Sequence, residues 1–409
     1  MTTLTQPRSL TLKLETAFIF LLGFAIFISK PLIYLSILLL IGVTLVRIAT
    51  DPDYRYELFD NKLFWASSGV FVLGVVSAAI GSSYAEDIGW MAKKTMLLPM
   101  VVPLLTAFTF KTNRIAALSG AVIGFWVAFV LTGNMHNWTW SGGRYEGATW
   151  LVDAWGVICA MLIVLLTPLV FLTTVNLRWR IILALTVLGA LMMLISTGAR
   201  GPWLGVFTSV FVYLAFKQRM ALVTVALLGG AFLFAANSLW TQQIEAFKER
   251  AQSIANVQTD ASNYIRLALW ETGSGLIQKQ LYSGEKGFWF GNGNRGLVEP
   301  ATNFYRNEFG ATANIKPGLL NDTIIDDLHN MYLQSIIQNG ILWTLGCLGL
   351  LIWISLGKVT KNLGRAYKWV SVPSLLSFLI VGITYTLLPH FAFLFLIFFL
   401  TLSRGFESD

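Results

Sequence analysis

Four side chains of this sequence could do chemistry on a charged substrate, and Arg200 is the first. It lies in Ser-Thr-Gly-Ala-Arg-Gly-Pro-Trp-Leu, residues 196–204, a turn between two short apolar runs. Gly198 can end the helix before the turn, and Pro202 suits the first turn of the helix after it. Backbone N–H groups of the new helix would then face the turn, so an anion there would meet peptide dipoles and a guanidinium together. An arginine in a membrane costs about 2.5–3.5 kcal/mol near the centre and less near the edge, so it needs a partner. That partner is either a lipid headgroup reached by snorkelling or the phosphate of a ligand.

His329 is the second, one of only three histidines, in Asp-Asp-Leu-His-Asn-Met-Tyr-Leu, residues 326–333. A helix starting after Asp326 would put Asp326 and His329 three apart on one face, where the carboxylate could cap the helix and orient the imidazole. Gly340 follows eleven residues on, about three turns, hence on nearly the same face. An imidazole so placed can take a proton from a hydroxyl; the plainer alternative is a surface histidine beside a capping Asp. Arg266, in Tyr-Ile-Arg-Leu-Ala-Leu-Trp, is the third, a second cation or simply a solvated one. Arg295 closes a Gly-Asn-Gly-Asn-Arg-Gly turn at 291–296 whose glycines permit positive φ. Trp138, Trp140 and Arg144 form an aromatic, cationic loop that could stack a sugar or anchor at the membrane interface.

Other candidates read as structural. His136 and His390 lack a partner at ligand spacing, and Cys159 and Cys347 sit inside apolar runs as small buried hydrophobes. Asp51-Pro-Asp53 reads as a turn between two spans, away from the other candidates. No metal site and no cofactor are expected.

The elements that must position these residues are membrane helices. Of 409 residues, 56% are hydrophobic and 12% charged, with 29 Phe and 15 Trp; soluble domains run nearer about 45–50% and 25%. The net charge of +8 does not imply nucleic acid, because the basic residues sit in short turns between apolar runs. Such runs lie at 16–29, 32–46, 63–80, 96–110, 115–131, 150–172, 181–196, 203–216, 221–239, 331–356, 370–387 and 391–402. They are continuous and not alternating, which predicts an all-α polytopic membrane protein of about twelve spans, not a barrel. The first run ends in Ser-Lys-Pro without a small-residue cleavage site and is expected to be a retained span. Lys and Arg favour one set of loops by roughly three to one, which puts both termini in the cytoplasm. The expected organisation is transmembrane helices over 1–240, one large extracytoplasmic loop over 241–328, and further helices over 329–409. Within that loop, 243–254 and 262–280 read as helices, 287–296 as a glycine-rich turn, and 303–323 shows no period.

Together these residues resemble the O-antigen ligase family and its kin, the O-antigen polymerases and protein O-oligosaccharyltransferases. The resemblance rests on an Arg-x3-Leu element at Arg200–Leu204 and a His-x10-Gly element at His329–Gly340, with Arg266–Trp270 and Gly291–Gly293 between them. It implies a GT-C-like glycosyltransferase, metal-independent and inverting. Such an enzyme would move a glycan from undecaprenyl diphosphate to a hydroxyl of lipid A–core oligosaccharide, on the periplasmic face of a bacterial inner membrane. Arg200 and Arg266 would hold the diphosphate and His329 would act as general base, with Arg295, Trp138, Trp140, Arg144, Asp326 and Gly340 contributing to substrate binding. The polymerase of the same superfamily shares these elements, and a protein O-oligosaccharyltransferase would be expected to add a larger C-terminal soluble part. A flippase or secondary transporter would match the span number but would be expected to carry charged or broken helices near mid-membrane.

Overall fold

The structure, a computed structural model, describes residues 9–138, 144–171, 175–224, 227, 248, 252, 261–309, 324–356, 368–386 and 391–405. Among these the chain is helical throughout, with no strand. The first helices are α1 (Ser9–Ile28), α2 (Lys30–Thr50), α3 (Pro52–Asp60), α4 (Lys62–Gly81), α5 (Glu86–Thr95), α6 (Val101–Ala107), α7 (Lys111–Met135) and α8 (Val152–Phe171). They are followed by α9 (Leu177–Thr197), α10 (Arg200–Lys217), α11 (Ala261–Tyr282), α12 (Lys286–Phe290) and α13 (Val298–Phe309). The chain closes with α14 (Met331–Leu356), α15 (Lys368–Thr384) and α16 (Phe391–Gly405). Seven of the described helices (α1, α2, α4, α7, α8, α9 and α14) are long and apolar enough to cross a membrane. Two shorter apolar stretches, Ser371–Thr384 and Phe393–Ser403, add to the bundle.

Helix α8 is the axis of the bundle. Its sequence is apolar on all sides, and every residue from Trp155 to Leu169 is buried, as expected of a helix surrounded by others. It packs against α9, α10, α15 and α16. Helices α1 and α7 pack closely, and small residues allow it. Added Cβ atoms at Gly120 and Gly124 would overlap the Phe20 and Phe24 backbone of α1, and one at Gly23 would overlap Ala117 of α7. Backbones approach this closely only where side chains are absent, the usual means of packing membrane helices.

That pair also buries a charge network. Arg47 of α2 donates to Glu15 of α1 at 2.8 Å, and the two residues are 3% and 5% exposed. Asn113 Nδ2 reaches the other Glu15 oxygen at 3.0 Å, and the Arg47 guanidinium lies 3.9 Å from the Tyr54 ring centroid. Arg47, one of the residues in the basic bias of the turns, is thus neutralised inside the fold. Removing one partner of such a pair strands the other, at about 3–5 kcal/mol. Glu15→Ala should therefore lower the Tm of the detergent-solubilised protein by many degrees; an unchanged Tm would mean that water already solvates the pair.

Three expected elements differ. Residues 96–110 are not one continuous helix: α6 is only seven residues long, flanked by turns, because Pro99 cannot donate to a helix continuing from α5. Residues 287–296 are not simply a turn: α12 precedes the turn and a 3-10 segment, Arg295–Leu297, follows it. The aperiodic 303–323 stretch begins inside helix α13. Helix 262–280 is observed as α11 with slightly wider ends. The expected helix at 243–254 and most of the apolar run 221–239 lie outside the described residues.

Candidate active site

The Arg200 turn is built as its residues require. Gly198 ends α9 in the left-handed conformation (φ 61°), Ala199 precedes α10, and Arg200 is the first helical residue, with Pro202 two positions on. The guanidinium is not in solvent: Arg200 is 7% exposed, and its Nη1 donates to Asn263 Oδ1 of α11 at 3.3 Å. The start of α10 abuts the end of α15. A Cβ on Gly201 would lie 2.7 Å from Tyr385 and would overlap Thr384.

Helix α11 supplies the second cation. Asn263 and Arg266 are three apart, on one face, so the residue that meets Arg200 also directs Arg266 toward the same region. The Arg266 guanidinium lies 5.4 Å from the centroid of the Tyr385 ring and hydrogen-bonds its hydroxyl. Tyr385 is 4% exposed and lies just past the end of α15. Arg144 pairs with Asp153 at 2.7 Å on the rim of this region, both side chains partly exposed. Tyr145 N donates to Ser196 O at 3.0 Å, tying that rim to the Arg200 turn.

His329 arrives by a different route from the one its spacing predicts. It is not on a helix with Asp326. It sits in the left-handed region (φ 49°), and α14 starts only at Met331. The cap is Asn330, whose Oδ1 accepts from Tyr332 N and Leu333 N at 3.0 and 3.1 Å. The carboxylate beside the histidine is Asp327, while Asp326 is exposed. Asp327 Oδ1 accepts from His329 N at 2.7 Å, a short-range bond of the kind that holds an Asx turn against helix formation. Asp327 Oδ2 lies 4.0 Å from His329 Nδ1, a nitrogen that is buried and makes no hydrogen bond.

This loop is fastened on two sides. Trp270 Nε1, one turn beyond Arg266, donates to His329 O at 3.3 Å. Thr386 donates to Asp327 Oδ1, and also lies 3.0 Å from Gln334 Oε1, which accepts from Leu328 N at 2.8 Å. Tyr385 and Thr386 are consecutive. One residue holds Arg266 and the other holds the turn that carries His329, so the end of α15 joins the two halves of the site.

Gly340 has a structural part to play. It breaks α14 at φ 83°, which leaves carbonyls of the preceding turn without helical partners. The turn at 291–293 fills them: Asn292 N donates to Ile337 O at 2.8 Å and Gly293 N to Gln338 O at 2.9 Å. Side chains are excluded on both sides, since a Cβ on Gly340 would overlap Trp289 and one on Gly291 would overlap Gln338. The Gly-x-Gly turn and the glycine eleven residues after His329 are therefore partners in one backbone joint.

Two further candidates, Arg295 and Trp138, are not brought together with Arg200, Arg266 and His329. Arg295 pairs with Glu86 and lies 5.7 Å from the Tyr84 ring centroid, beside the joint between α4 and α12. Trp138 folds back on its own helix, bonding Asn134 at 2.9 Å and packing on Phe129. Trp140 and His390 lie outside the described residues. His136 stacks on Tyr145 with centroids 4.0 Å apart and meets Glu146 O at 3.0 Å, the packing role its sequence context suggests. Cys159 and Cys347 are buried and unpaired with each other.

Arg200, Arg266, Tyr385 and His329 are thus tied together through Asn263, Trp270 and Thr386, where α10, α11, the 324–330 segment and the end of α15 meet. Arginines recognise phosphate through paired, charge-assisted bonds, and an imidazole can accept a proton. The arrangement suits displacement of a phosphorylated leaving group by a hydroxyl. Among curated proteins, none matches the chain. Residues 184–354 match the family model described as O-antigen ligase, a stretch that contains Arg200, Arg266, His329 and Gly340 but not Tyr385 or Thr386. Over that segment, less than half of the chain, the sequence is similar to the O-antigen ligase family.

Proposed function

We propose that the protein is an O-antigen ligase that transfers a glycan from undecaprenyl diphosphate to a hydroxyl of lipid A–core oligosaccharide. The observation that carries this reading is that Arg200, Arg266 and His329, from three separate elements, are tied together. In the proposed reaction the guanidinium groups of Arg200 and Arg266 hold the diphosphate and offset the charge it gains as the sugar–phosphate bond breaks. His329 takes the proton of the acceptor hydroxyl as its oxygen bonds the sugar carbon from the opposite face, which inverts that centre. No metal is required for this division of labour. The full architecture we propose has about twelve spans, a GT-C-like arrangement, both termini in the cytoplasm, and the 241–328 loop in the periplasm as a lid. The basic bias of the opposite turns supports that orientation, and the bilayer delivers both substrates.

Polymerases of the same superfamily are the second reading, since the family match covers both activities. Gel analysis of lipopolysaccharide from a deletion strain separates them. Loss of a ligase leaves core without any O-chain, and this is the expected pattern. Core bearing a single repeat unit would assign the protein to polymerisation instead.

A further inference from the structure

The two arginines of the site share a neighbour that no sequence motif singles out, Tyr385. On one side its ring meets the start of α10. Gly201, the residue after Arg200, faces it without a side chain, and a Cβ there would come within 2.7 and 2.9 Å of two carbons on the ring edge. On the other side stands the Arg266 guanidinium, 5.4 Å from the ring centroid. The backbone has as little freedom as the ring. Tyr385 N donates to Val381 O at 3.0 Å, and Thr386, the next residue, bonds Asp327 and Gln334. Tyr385 is 4% exposed, so the ring is fixed between the two elements that carry the arginines.

A phenylalanine would fill that space as well, so the hydroxyl is what needs a reason. A hydroxyl taken out of water costs free energy unless its oxygen and its hydrogen find partners. The oxygen serves Arg266, because a guanidinium has only N–H groups to offer and the phenol must accept. The hydrogen is left over: among the described residues no oxygen accepts it. The carboxylates of the region are engaged elsewhere, Asp327 by Thr386 and His329 N, and Asp153 by Arg144. Tyr332 shows the structural use of the same group, since its hydroxyl donates to Leu379 O of α15 at 2.8 Å. Tyr385 makes no such bond among the described residues. Its O–H is an unspent donor beside two guanidinium groups that can only donate as well. Donors gathered without acceptors suit a ligand rich in charged oxygens.

We infer that Tyr385 is a catalytic residue, the third hydrogen-bond donor to the departing diphosphate beside Arg200 and Arg266. This rests on the ligase reading, in which the donor's diphosphate lies at the two arginines. As the acceptor oxygen bonds the sugar carbon, the bond from that carbon to the diphosphate breaks and its electron pair stays on the phosphate oxygen. The acceptor's proton goes to His329, and Tyr385 gives up none. Its O–H donates throughout, and the bond strengthens as charge gathers on the phosphate. A donor held in place before the reaction needs no reorganisation when that charge appears, which is where such a group lowers the barrier.

The test uses the full chain in nanodiscs and Tyr385→Phe, which keeps the ring against Gly201 and Arg266 and removes only the O–H. With lipid-linked donor and core lipid, kcat should fall by roughly 10²-fold and acceptor KM should not change. An unchanged kcat would overturn the assignment. A hydroxyl that merely aims the Arg266 fork has nothing to aim in Arg266→Lys. In that background Tyr385→Phe should still lower kcat by roughly tenfold, the worth of one charge-assisted bond; no further loss would make Tyr385 a positioning residue and overturn the direct contact. Undecaprenyl diphosphate alone, followed by native mass spectrometry, reads the contact without transfer. Wild type should hold it roughly tenfold more tightly than Tyr385→Phe, and equal affinity would overturn the contact. If the affinity differs but wild type transfers nothing to core lipid, the ligase reading falls and Tyr385 stands as a diphosphate ligand. If wild type transfers and Tyr385→Phe matches it in rate and affinity, the ligase reading stands and the inference falls.

Discussion

Replacing Arg200 by Lys should lower transfer by about 10²–10³-fold, nearly as far as replacement by Ala, although the charge is kept. The guanidinium is buried, donates to Asn263, and begins α10. It is therefore fixed in direction, and a lysine would bring one point charge in place of a planar fork that can grip two phosphate oxygens. Arg266→Lys should show the same pattern with a smaller loss, since its guanidinium is shared with the Tyr385 ring and hydroxyl. The loss should fall on kcat more than on donor KM, because the charge on the leaving diphosphate is greatest in the transition state. The measurement is in vitro transfer with purified variant and lipid-linked donor, with membrane insertion checked by yield and monodispersity. Full activity of Arg200→Lys would remove the idea of a bidentate clamp, and loss of wild-type activity in EDTA with rescue by Mg²⁺ would move the charge work from arginine to metal.

How far the sequence leads to this site can be judged residue by residue. Apolar length located most helices, because burial of a continuous run needs no knowledge of neighbours: α8, α9 and α14 lie where the runs lie. Turn chemistry located the Arg200 corner, because Gly198 and Pro202 act on their own backbone. What was not legible depends on tertiary contact. Asp326 and Asp327 are both carboxylates ahead of the same histidine, and helical spacing favours the first. Only the left-handed backbone at His329 and the pull of Thr386, 59 residues away, select the second. Tyr385 and Thr386 fall within the apolar run 370–387, where their types alone single out neither; their part in the site comes from the helices that α15 meets. Gly340 carried a signal, an isolated glycine inside a helical pattern. Its purpose needed the turn at 291–293 beside it.

Replacing His329 by Ala should cost about 10²–10⁴-fold in transfer, the range expected of a positioned general base. The substitution also removes a residue in the left-handed region, where Ala is strained, so some loss could come from the turn itself. His329→Asn separates the two causes. Asn tolerates that backbone and keeps the turn, but it cannot take up the proton, so its activity should be as low as that of Ala. Asp327→Asn provides the complementary experiment. The amide oxygen can still accept from His329 N and Thr386, so the turn should persist, while the negative charge 4.0 Å from Nδ1 is lost. A neutral partner stabilises the imidazolium less well, so kcat should fall by roughly tenfold with donor KM unchanged. The pH–rate profile distinguishes a base from a mere hydrogen-bonding residue. In wild type the rate should fall on the acid side as the imidazole becomes protonated, and in His329→Asn that limb should be absent from the residual activity. If the limb survives in His329→Asn, another group takes the acceptor's proton, and His329 serves only to orient the hydroxyl.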